Sequence, residues 1–260
     1  MTASAFAEDV LALAWRSVVR TARQPANVVG PLLFPMLLLA VNSGGLKAET
    51  RLPGFPTDSF LAFALAVPFV QGALFATMNA GTDLARDVQT GFLNRLSLTP
   101  MRGIALLAGQ LGGVMTMGVI QALVYLSVGL AVGVDLASGP LGALVLLGFA
   151  LLVSLGFGAL GAFAALRTGS GEAVQSLFPA FFVFLFISSM NIPRNLIGVT
   201  WFRDLATTNP VSYLIELVRS LIITGWDGEA LALGFGITGV ITVVSLALAS
   251  WALRVRMARS

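Results

Sequence analysis

The sequence contains neither cysteine nor histidine, and both absences narrow the chemistry open to it. Without cysteine there is no disulfide, no thiolate nucleophile and no cysteine-bound metal. Without histidine the chain lacks the commonest protein ligand for metals and the one side chain that ordinarily titrates near neutral pH. Thiolate chemistry and cysteine- or histidine-bound metals are thereby excluded, and we predict no catalytic, metal-binding or cofactor-binding residue in this chain.

Charge is also scarce: of 260 residues only 10% are charged, whereas 57% are hydrophobic and the mean hydropathy is +0.91. Soluble domains carry about 25% charged residues. Six stretches contain no charged residue and exceed the ~20 residues that cross a bilayer; they are 24–46, 59–82, 103–134, 136–166, 173–193 and 230–253. The composition predicts an all-α, multi-pass membrane protein with six transmembrane helices in a single domain, 1–260. The first span is the weakest, because Pro31 and Pro35 interrupt it.

Basic residues are unevenly divided between the two sides of these spans. One side carries ten of the fifteen, namely Arg16, Arg20, Arg23, Arg86, Arg95, Arg102, Arg167, Arg254, Arg256 and Arg259; the other carries Lys47, Arg51, Arg194, Arg203 and Arg219. The more basic side of a membrane protein is the cytoplasmic one. Both termini are therefore predicted to be cytoplasmic. The net charge of +3 then reflects membrane topology, and no nucleic-acid partner is expected.

The first 24 residues precede the first apolar stretch. Their apolar and basic residues fall on separate stripes at helical spacing, with Leu11, Trp15, Val18 and Ala22 on one stripe and Arg16, Arg20 and Arg23 on the other. A basic amphipathic helix before a span is typical of a segment that lies on the cytoplasmic lipid surface. The alternative is a solvated leader.

The segment 83–103 is predicted to lie on the cytoplasmic side, between the second and third spans. Asp83, Arg86 and Asp87 have the spacing of ion pairs on a helix surface. Gly91 interrupts the pattern and Pro100 ends a short amphipathic stretch that follows it. The apolar side chains of that stretch have no core to enter, which implies a partner surface.

The segment 194–228 is predicted to lie outside. Asn209 is a good N-cap and Pro210 suits the first helical turn, so a helix should run to about Thr224 and end at Gly225. Glu216 and Arg219 would pair at i+3. With two charges this helix is unlikely to span the membrane, and we expect it to be re-entrant or half inserted.

Two glycine patterns, at 156–161 and 234–239, have the GxGxxG spacing of dinucleotide-binding loops. Both lie within apolar windows and follow no soluble strand, so they favour close helix packing, as do the GxxxG spacings at 109–113 and 129–133. No P-loop is present, and the only lysine, Lys47, lies outside. The chain is therefore not expected to hydrolyse ATP.

The spans contain polar but no charged side chains. The absence of intramembrane carboxylates weighs against a secondary transporter, which commonly needs ionisable groups near the midplane. The uncharged polar groups serve either as interhelical hydrogen bonds or as the lining of a substrate path. Candidate path residues are Asn42, Gln71, Phe75, Asn79, Phe182 and Ser189.

Two motifs, together with this topology, resemble the permease subunit of type-2 ABC exporters, most closely the drug-resistance and nodulation-type members. Residues 91–100, Gly-Phe-Leu-Asn-Arg-Leu-Ser-Leu-Thr-Pro, are similar to the family's run after the second span, with departures at Phe92 and Asn94. Residues 209–219 match its Asn-Pro-x-x-Tyr-x-x-Glu-x-x-Arg pattern fully. The resemblance implies an ATPase-coupling element that includes Arg86, Asp87, Gly91, Phe92, Leu93, Arg95, Leu96, Thr99 and Pro100. It also implies an extracytoplasmic helix with Asn209, Pro210, Tyr213, Glu216 and Arg219.

The resemblance further implies the chain's partners and location. These are a cytoplasmic ABC ATPase subunit that binds ATP and Mg²⁺, a second permease copy or a homologous permease, and the lipid of a bacterial cytoplasmic membrane. The path would lie between permeases, lined mainly by the first, second and fifth spans. Spans without charge favour a hydrophobic or amphipathic cargo, such as a drug or lipid, because a charged cargo needs compensating charges. A polysaccharide or glycolipid exporter permease is the alternative, and a secondary transporter is a weaker one.

Cysteine labelling tests the predicted topology without background, because the chain has no cysteine of its own. In intact cells an impermeant maleimide should not label Ser260→Cys, since the C-terminus is predicted to be cytoplasmic. It should label Thr57→Cys in the outer loop 47–58. Labelling of Ser260→Cys from outside, in cells with an intact membrane, contradicts the topology.

Overall fold

The computed structural model describes residues 3–23, 25–92 and 103–258, and every regular element within them is helical. The all-α fold class is therefore confirmed for these residues. The elements are α1 (Ala3–Ala22), α2 (Pro25–Gly45), a 3₁₀ turn (Lys47–Arg51), α3 (Phe60–Ala64), α4 (Ala66–Gln89), α5 (Gly103–Ala131), α6 (Gly139–Thr168), α7 (Gly171–Gln175), α8 (Leu177–Phe186), a 3₁₀ turn (Arg194–Leu196), α9 (Thr200–Thr208), α10 (Pro210–Arg219), a π-helical turn (Ser220–Thr224) and α11 (Gly228–Met257).

Within the described residues, five helical segments are long and apolar enough to cross a membrane. They are Val28–Gly45, Phe60–Gln89, Ile104–Ala131, Gly139–Thr168 and Gly228–Met257. They correspond to the predicted spans except the fifth. The predicted fifth span, 173–193, instead forms the shorter helical stretch Gly171–Phe186, which is broken between α7 and α8.

Prolines explain two of the interruptions in the apolar helices. Pro179 is the third residue of α8, and Pro68 is the third residue of α4. Proline has no N–H to donate to the carbonyl four residues earlier, so a continuous helix through either position would leave that carbonyl without its bond. The chain breaks at Ser176 and at Leu65, three residues before each proline.

The first span behaves differently, because α2 runs without a break through Pro31 and Pro35. The missing N–H of Pro35 frees the carbonyl of Pro31. The hydroxyl of Tyr125, a buried residue on α5, donates to that carbonyl over 2.7 Å. The weakness predicted for this span is thus compensated by a side chain from another helix.

The glycines of the first GxGxxG pattern are packing positions on α6, as the sequence predicts. A Cβ added to Gly156 would lie 2.5 Å from Oγ1 of Thr242 on α11, and one added to Gly161 would lie 2.0 Å from the carbonyl oxygen of Thr77 on α4. Gly158 faces α5. Helix α6 therefore packs against α4 and α11 at distances that leave no room for a Cβ, and against α5 at a slightly larger one.

The GxxxG spacing at Gly109–Gly113 on α5 receives the amphipathic helix α1, and not another span. A Cβ added to Gly109 would lie 2.3 Å from Cβ of Leu13, and one added to Gly113 would lie 2.2 Å from Oγ of Ser17. On the other side of α1, Leu11 and Trp15 are exposed. The predicted amphipathic helix exists, and its exposed apolar stripe is free to meet lipid.

The segment 83–103 begins inside a helix, since α4 continues to Gln89. Gly91, at a φ of +68°, follows the end of α4 in a backbone conformation that favours glycine. The remaining part of the predicted coupling element, with Leu93, Arg95, Leu96, Thr99 and Pro100, lies outside the described residues.

The contact between α4 and α6 can be tested with one added methyl group. Gly161→Ala would place Cβ against the backbone carbonyl of Thr77, which cannot rotate away as a side chain could, so we expect a loss of about 1–3 kcal/mol. Gly148→Ala, on the same helix with nothing within 4 Å, is the matched control and should be neutral or stabilising. Resistance to SDS-induced unfolding measures both; equal stability of the two variants would rule the close contact out.

Candidate functional site

A cavity of about 730 Å³ opens between α2, α4 and the α7–α8 pair. Its apolar wall includes Phe34 of α2, Phe75 of α4 and Phe178 of α8. Its other lining residues are mostly polar and lie toward the predicted cytoplasmic end, namely Asn79, Thr82, Asp83, Arg86, Gln89 and Gln175. A cavity of this size, with an apolar wall and a few polar groups at one end, fits an amphipathic small molecule.

Four phenyl rings form the apolar wall and its support. The ring centroid of Phe34 lies 6.4 Å from that of Phe75 and 5.8 Å from that of Phe182. The centroid of Phe178 lies 6.1 Å from Phe75 and 4.6 Å from Phe182. These contacts join the first and second spans to α8. Ring pairs at such distances favour edge-to-face and tilted contacts, which leave apolar ring surface for a ligand.

The six predicted path residues fall into separate places. Phe75 and Asn79 line the cavity, and Phe182 supports its wall. Gln71, one turn from Phe75, is buried, and neither atom of its amide bonds to a described residue. Asn42 lies at the far end of α2, and Ser189 follows α8 in a buried turn.

At the predicted cytoplasmic end, α1 and α4 are joined by ion pairs. Asp87 accepts from Nη2 of Arg16 over 3.0 Å and from Nη1 of Arg20 over 3.1 Å, and Arg20 also pairs with Asp83 over 3.2 Å. The sequence predicted instead that Asp83, Arg86 and Asp87 pair among themselves, at i+3 and i+4 on their own helix. That prediction was wrong in these partners, because α1 packs alongside and brings two guanidinium groups within reach, while Arg86 stays exposed in the cavity.

The same cluster reaches the start of the predicted coupling element. The guanidinium carbon of Arg16 lies 4.1 Å from the ring centroid of Phe92. Arg86, Asp87, Gly91 and Phe92 are therefore near one another at the end of α4. The amphipathic helix α1 contacts this group through charge and through the Phe92 ring.

The motif at 209–219 organises the predicted outer end. Asn209 caps α10, as predicted, with Oδ1 accepting from the N–H of Val211 over 2.9 Å. Its Nδ2 donates to the carbonyl of Ile187 over 3.1 Å and also to that of Phe184, so one amide ties α10 to the end of α8. Helix α10 then continues as a π-helical turn to Thr224, and Gly225, at a φ of +93°, ends it as predicted.

Arg219 forms the centre of this outer region, which we call the outer clamp and define as Asn209, Arg219 and the carbonyls they bind. Its Nε donates to the carbonyl of Phe63 over 3.2 Å, and its two terminal nitrogens donate to the carbonyls of Ser189 and Met190, each over 3.1 Å. The guanidinium also lies over the Phe63 ring at 3.4 Å. Arg219 is itself buried, and its guanidinium stays charged because arginine keeps its proton in proteins.

The predicted pair between Glu216 and Arg219 is absent, because Glu216 binds Arg194 instead. Arg194 lies on the 3₁₀ turn and also sits 4.4 Å from the ring centroid of Tyr213. Desolvation lowers the pKa of Arg194, but the Glu216 carboxylate outweighs it and the pKa is raised. Tyr213 donates its hydroxyl to the carbonyl of Thr207, so each polar residue of the motif has a defined partner.

Sequence reasoning missed Phe34 and Phe178 as cavity residues. Phe178 lies in a run of phenylalanines whose members cannot be told apart by composition, yet Phe178 and Phe182 face α2 and α4 while Phe184 and Phe186 are exposed. A spacing of four places Phe178 and Phe182 on one helical face, but it places the exposed Phe186 there too, so spacing alone did not identify them.

Known proteins resemble this chain over most of its length. The protein family described as ABC-2 type transporter matches residues 8–223. The daunorubicin resistance ABC transporter permease protein DrrB1 of Streptomyces coeruleorubidus is 29% identical over 243 residues, which cover 90% of this chain and 79% of that protein. Putative transport permeases ycf38 of Cyanophora paradoxa and Porphyra purpurea are 25% and 27% identical, over 85% of this chain and 76% of each relative.

The outer clamp gives a stability prediction. Arg219→Met keeps the side-chain length but leaves three buried carbonyls without a donor, so we expect a loss of at least about 2 kcal/mol. Arg203→Met, an exposed arginine of the same outer region, should change stability little. Thermal unfolding of the purified chain in detergent measures both. Equal melting temperatures for the two variants would show that the clamp does not hold the outer region.

Proposed function

Since this chain belongs to the ABC-2 type transporter family and is its permease subunit, we propose that it exports a hydrophobic or amphipathic compound with energy from ATP. The observation that supports this most directly is the cavity of about 730 Å³ between α2, α4 and α8. Its phenyl rings suit an apolar body. Its polar end, with Arg86, Gln89 and Gln175, suits a polar head that enters from the cytoplasm.

The proposed energy source is a separate ATPase subunit that binds ATP and Mg²⁺. The chain has no P-loop of its own, so hydrolysis needs a partner. We assign coupling to the element that starts with Arg86 and Asp87 and continues through residues 91–100. Its described part contacts α1 through Asp87 and Phe92, so motion of the ATPase would reach both α4 and α1.

The proposed transporter contains two permeases, either two copies of this chain or this chain and a homologous one. The cavity lies at one side of the bundle, next to exposed apolar residues of α2 and α8 such as Leu33, Leu37 and Phe186. A second permease against that side would enclose the path, and lipid would cover the remaining apolar surface.

The proposed topology has six spans in a bacterial cytoplasmic membrane, with both termini cytoplasmic. The fifth span is the α7–α8 pair, broken at Ser176 and extended by the turn to Met190. Helix α10 is re-entrant: its apolar residues Leu214, Ile215 and Val218 are buried against the bundle, and its charged residues bind partners within the protein.

Reconstitution tests the transport proposal. DrrB1 is named for daunorubicin resistance, which makes daunorubicin a reasonable first cargo for the permease co-purified with its ATPase. We expect ATP-dependent uptake into inverted vesicles and no uptake by the permease alone. Phe75→Ala should raise the daunorubicin concentration for half-maximal ATPase stimulation several-fold, whereas Phe184→Ala, exposed and away from the cavity, should not.

Three results would each contradict one part of the proposal: the energy source, the cargo class or the role of the cavity. Uptake by the permease alone, driven by an ion gradient, would favour a secondary transporter. ATP-driven export of a glycolipid with no effect of hydrophobic drugs would favour the alternative cargo class. If Phe75→Ala and Phe184→Ala change the half-maximal daunorubicin concentration equally, the cavity does not bind the cargo.

A further inference from the structure

A second cavity, of about 600 Å³, opens at the predicted outer end and is not part of the proposed cargo path. It lies among the 3₁₀ turn at Arg194, helix α9, the end of α10 and the start of α11. Three arginines line it, namely Arg194, Arg203 and Arg219, together with two carboxylates, Glu216 and Asp227.

The two carboxylates are already engaged. Glu216 binds Arg194. Oδ1 of Asp227 accepts from the N–H groups of Glu229 and Ala230, over 3.0 and 3.1 Å, where it caps α11. This cap engages Oδ1 of Asp227, but the carboxylate keeps its negative charge.

Three arginines and two carboxylates thus line the cavity, and Arg194 is the only one of the three arginines that forms an ion pair with a described residue. Arg219 is buried and binds only neutral carbonyls, through three of the five N–H groups that a guanidinium carries. Arg203 is exposed and forms no ion pair with any residue that the structure describes; its neighbour Asp204 does not line the cavity. The cavity thus has an excess of positive charge with N–H donors, the combination that recognises an oxyanion such as phosphate.

Helix α9 indicates where the oxyanion comes from. Arg203 and Thr207, four residues apart, face the cavity, whereas Trp201 and Leu205, also four apart, are exposed. An indole and a leucine on the exposed face are typical of a helix that lies at the lipid headgroup level. Trp226, beside Asp227, is exposed as well. The cavity therefore lies at the depth where the phosphates of the outer leaflet are found.

We propose that this outer cavity binds a phosphate group, presented by an anionic lipid of the outer leaflet. Arg203 meets the phosphate at the rim, and Arg219 supplies positive charge from beneath. The hydroxyl of Thr207 takes no part, because it already donates to the carbonyl of Arg203 over 2.8 Å. Because Arg219 also holds the outer clamp, a bound phosphate would stabilise the α8–α10 connection. The site depends on neither the cargo nor ATP, so it can be tested on the full permease chain alone.

Native mass spectrometry of the purified chain in detergent measures binding with three added ligands: phosphatidylglycerol, diacylglycerol as a phosphate-free lipid, and inorganic phosphate. For Arg203→Gln we expect a Kd for phosphatidylglycerol at least about fivefold higher than for the unaltered chain. Arg203→Lys should recover part of the affinity. Arg51→Gln, an exposed outer arginine away from the cavity, is the matched control and should leave the Kd unchanged.

Each outcome decides the proposal. Loss of phosphatidylglycerol binding in Arg203→Gln alone, with diacylglycerol unaffected, supports a lipid phosphate. If inorganic phosphate displaces phosphatidylglycerol at a concentration below that of the lipid, the cavity recognises phosphate, but its ligand is a soluble phosphate and the lipid proposal is wrong. Equal binding of diacylglycerol and phosphatidylglycerol, or equal Kd values for Arg203→Gln and Arg51→Gln, overturns it. The melting temperature without lipid, unchanged in all three variants, shows that they fold.

Discussion

Inside a bilayer a backbone carbonyl that loses its helical partner finds no water, so the protein must supply the missing donor. This chain interrupts its apolar helices repeatedly, and donors from distant residues compensate. The Tyr125 hydroxyl binds the carbonyl that Pro35 frees in α2. Asn209 and Arg219 bind carbonyls at and beyond the end of α8. The broken helices are thus possible only because the tertiary structure provides these partners.

The same principle applies to the α5–α6 connection. The π-helical turn after Arg219 leaves carbonyls without the usual helical donors, and residues just before α6 supply them. Oγ of Ser138 donates to the carbonyl of Leu221 over 2.7 Å, and the N–H of Ala137 donates to that of Ile222 over 3.1 Å. Helix α10 is therefore fixed at both ends to helices that also form the bundle. Any movement of α8 against α2 and α4 would have to move α10 with it.

Close packing and ion pairs both hold the remaining helices to one another. Glycines of α6 bring α4, α5 and α11 into contact, and dispersion between close backbones stabilises such contacts in a membrane. At the predicted cytoplasmic end charge contributes as well, because Arg16 and Arg20 hold α1 to Asp87 of α4. One end of the cavity is thus bordered by ion pairs and the other by phenyl rings. This polarity suits an amphipathic molecule better than a sugar polymer.

The sequence alone determined the class of protein, most of its spans, the cap at Asn209, the end at Gly225 and the family resemblance. Those properties depend on local composition and spacing, which the chain carries residue by residue. Only the tertiary structure decided which residues the charged side chains pair with. Asp83 pairs with Arg20 and Glu216 with Arg194, although Arg86 and Arg219 stand three residues further along their own helices. Contacts between residues far apart in sequence depend on how the helices pack. No local sequence pattern therefore predicts which distant guanidinium or hydroxyl will bind a given carboxylate or carbonyl.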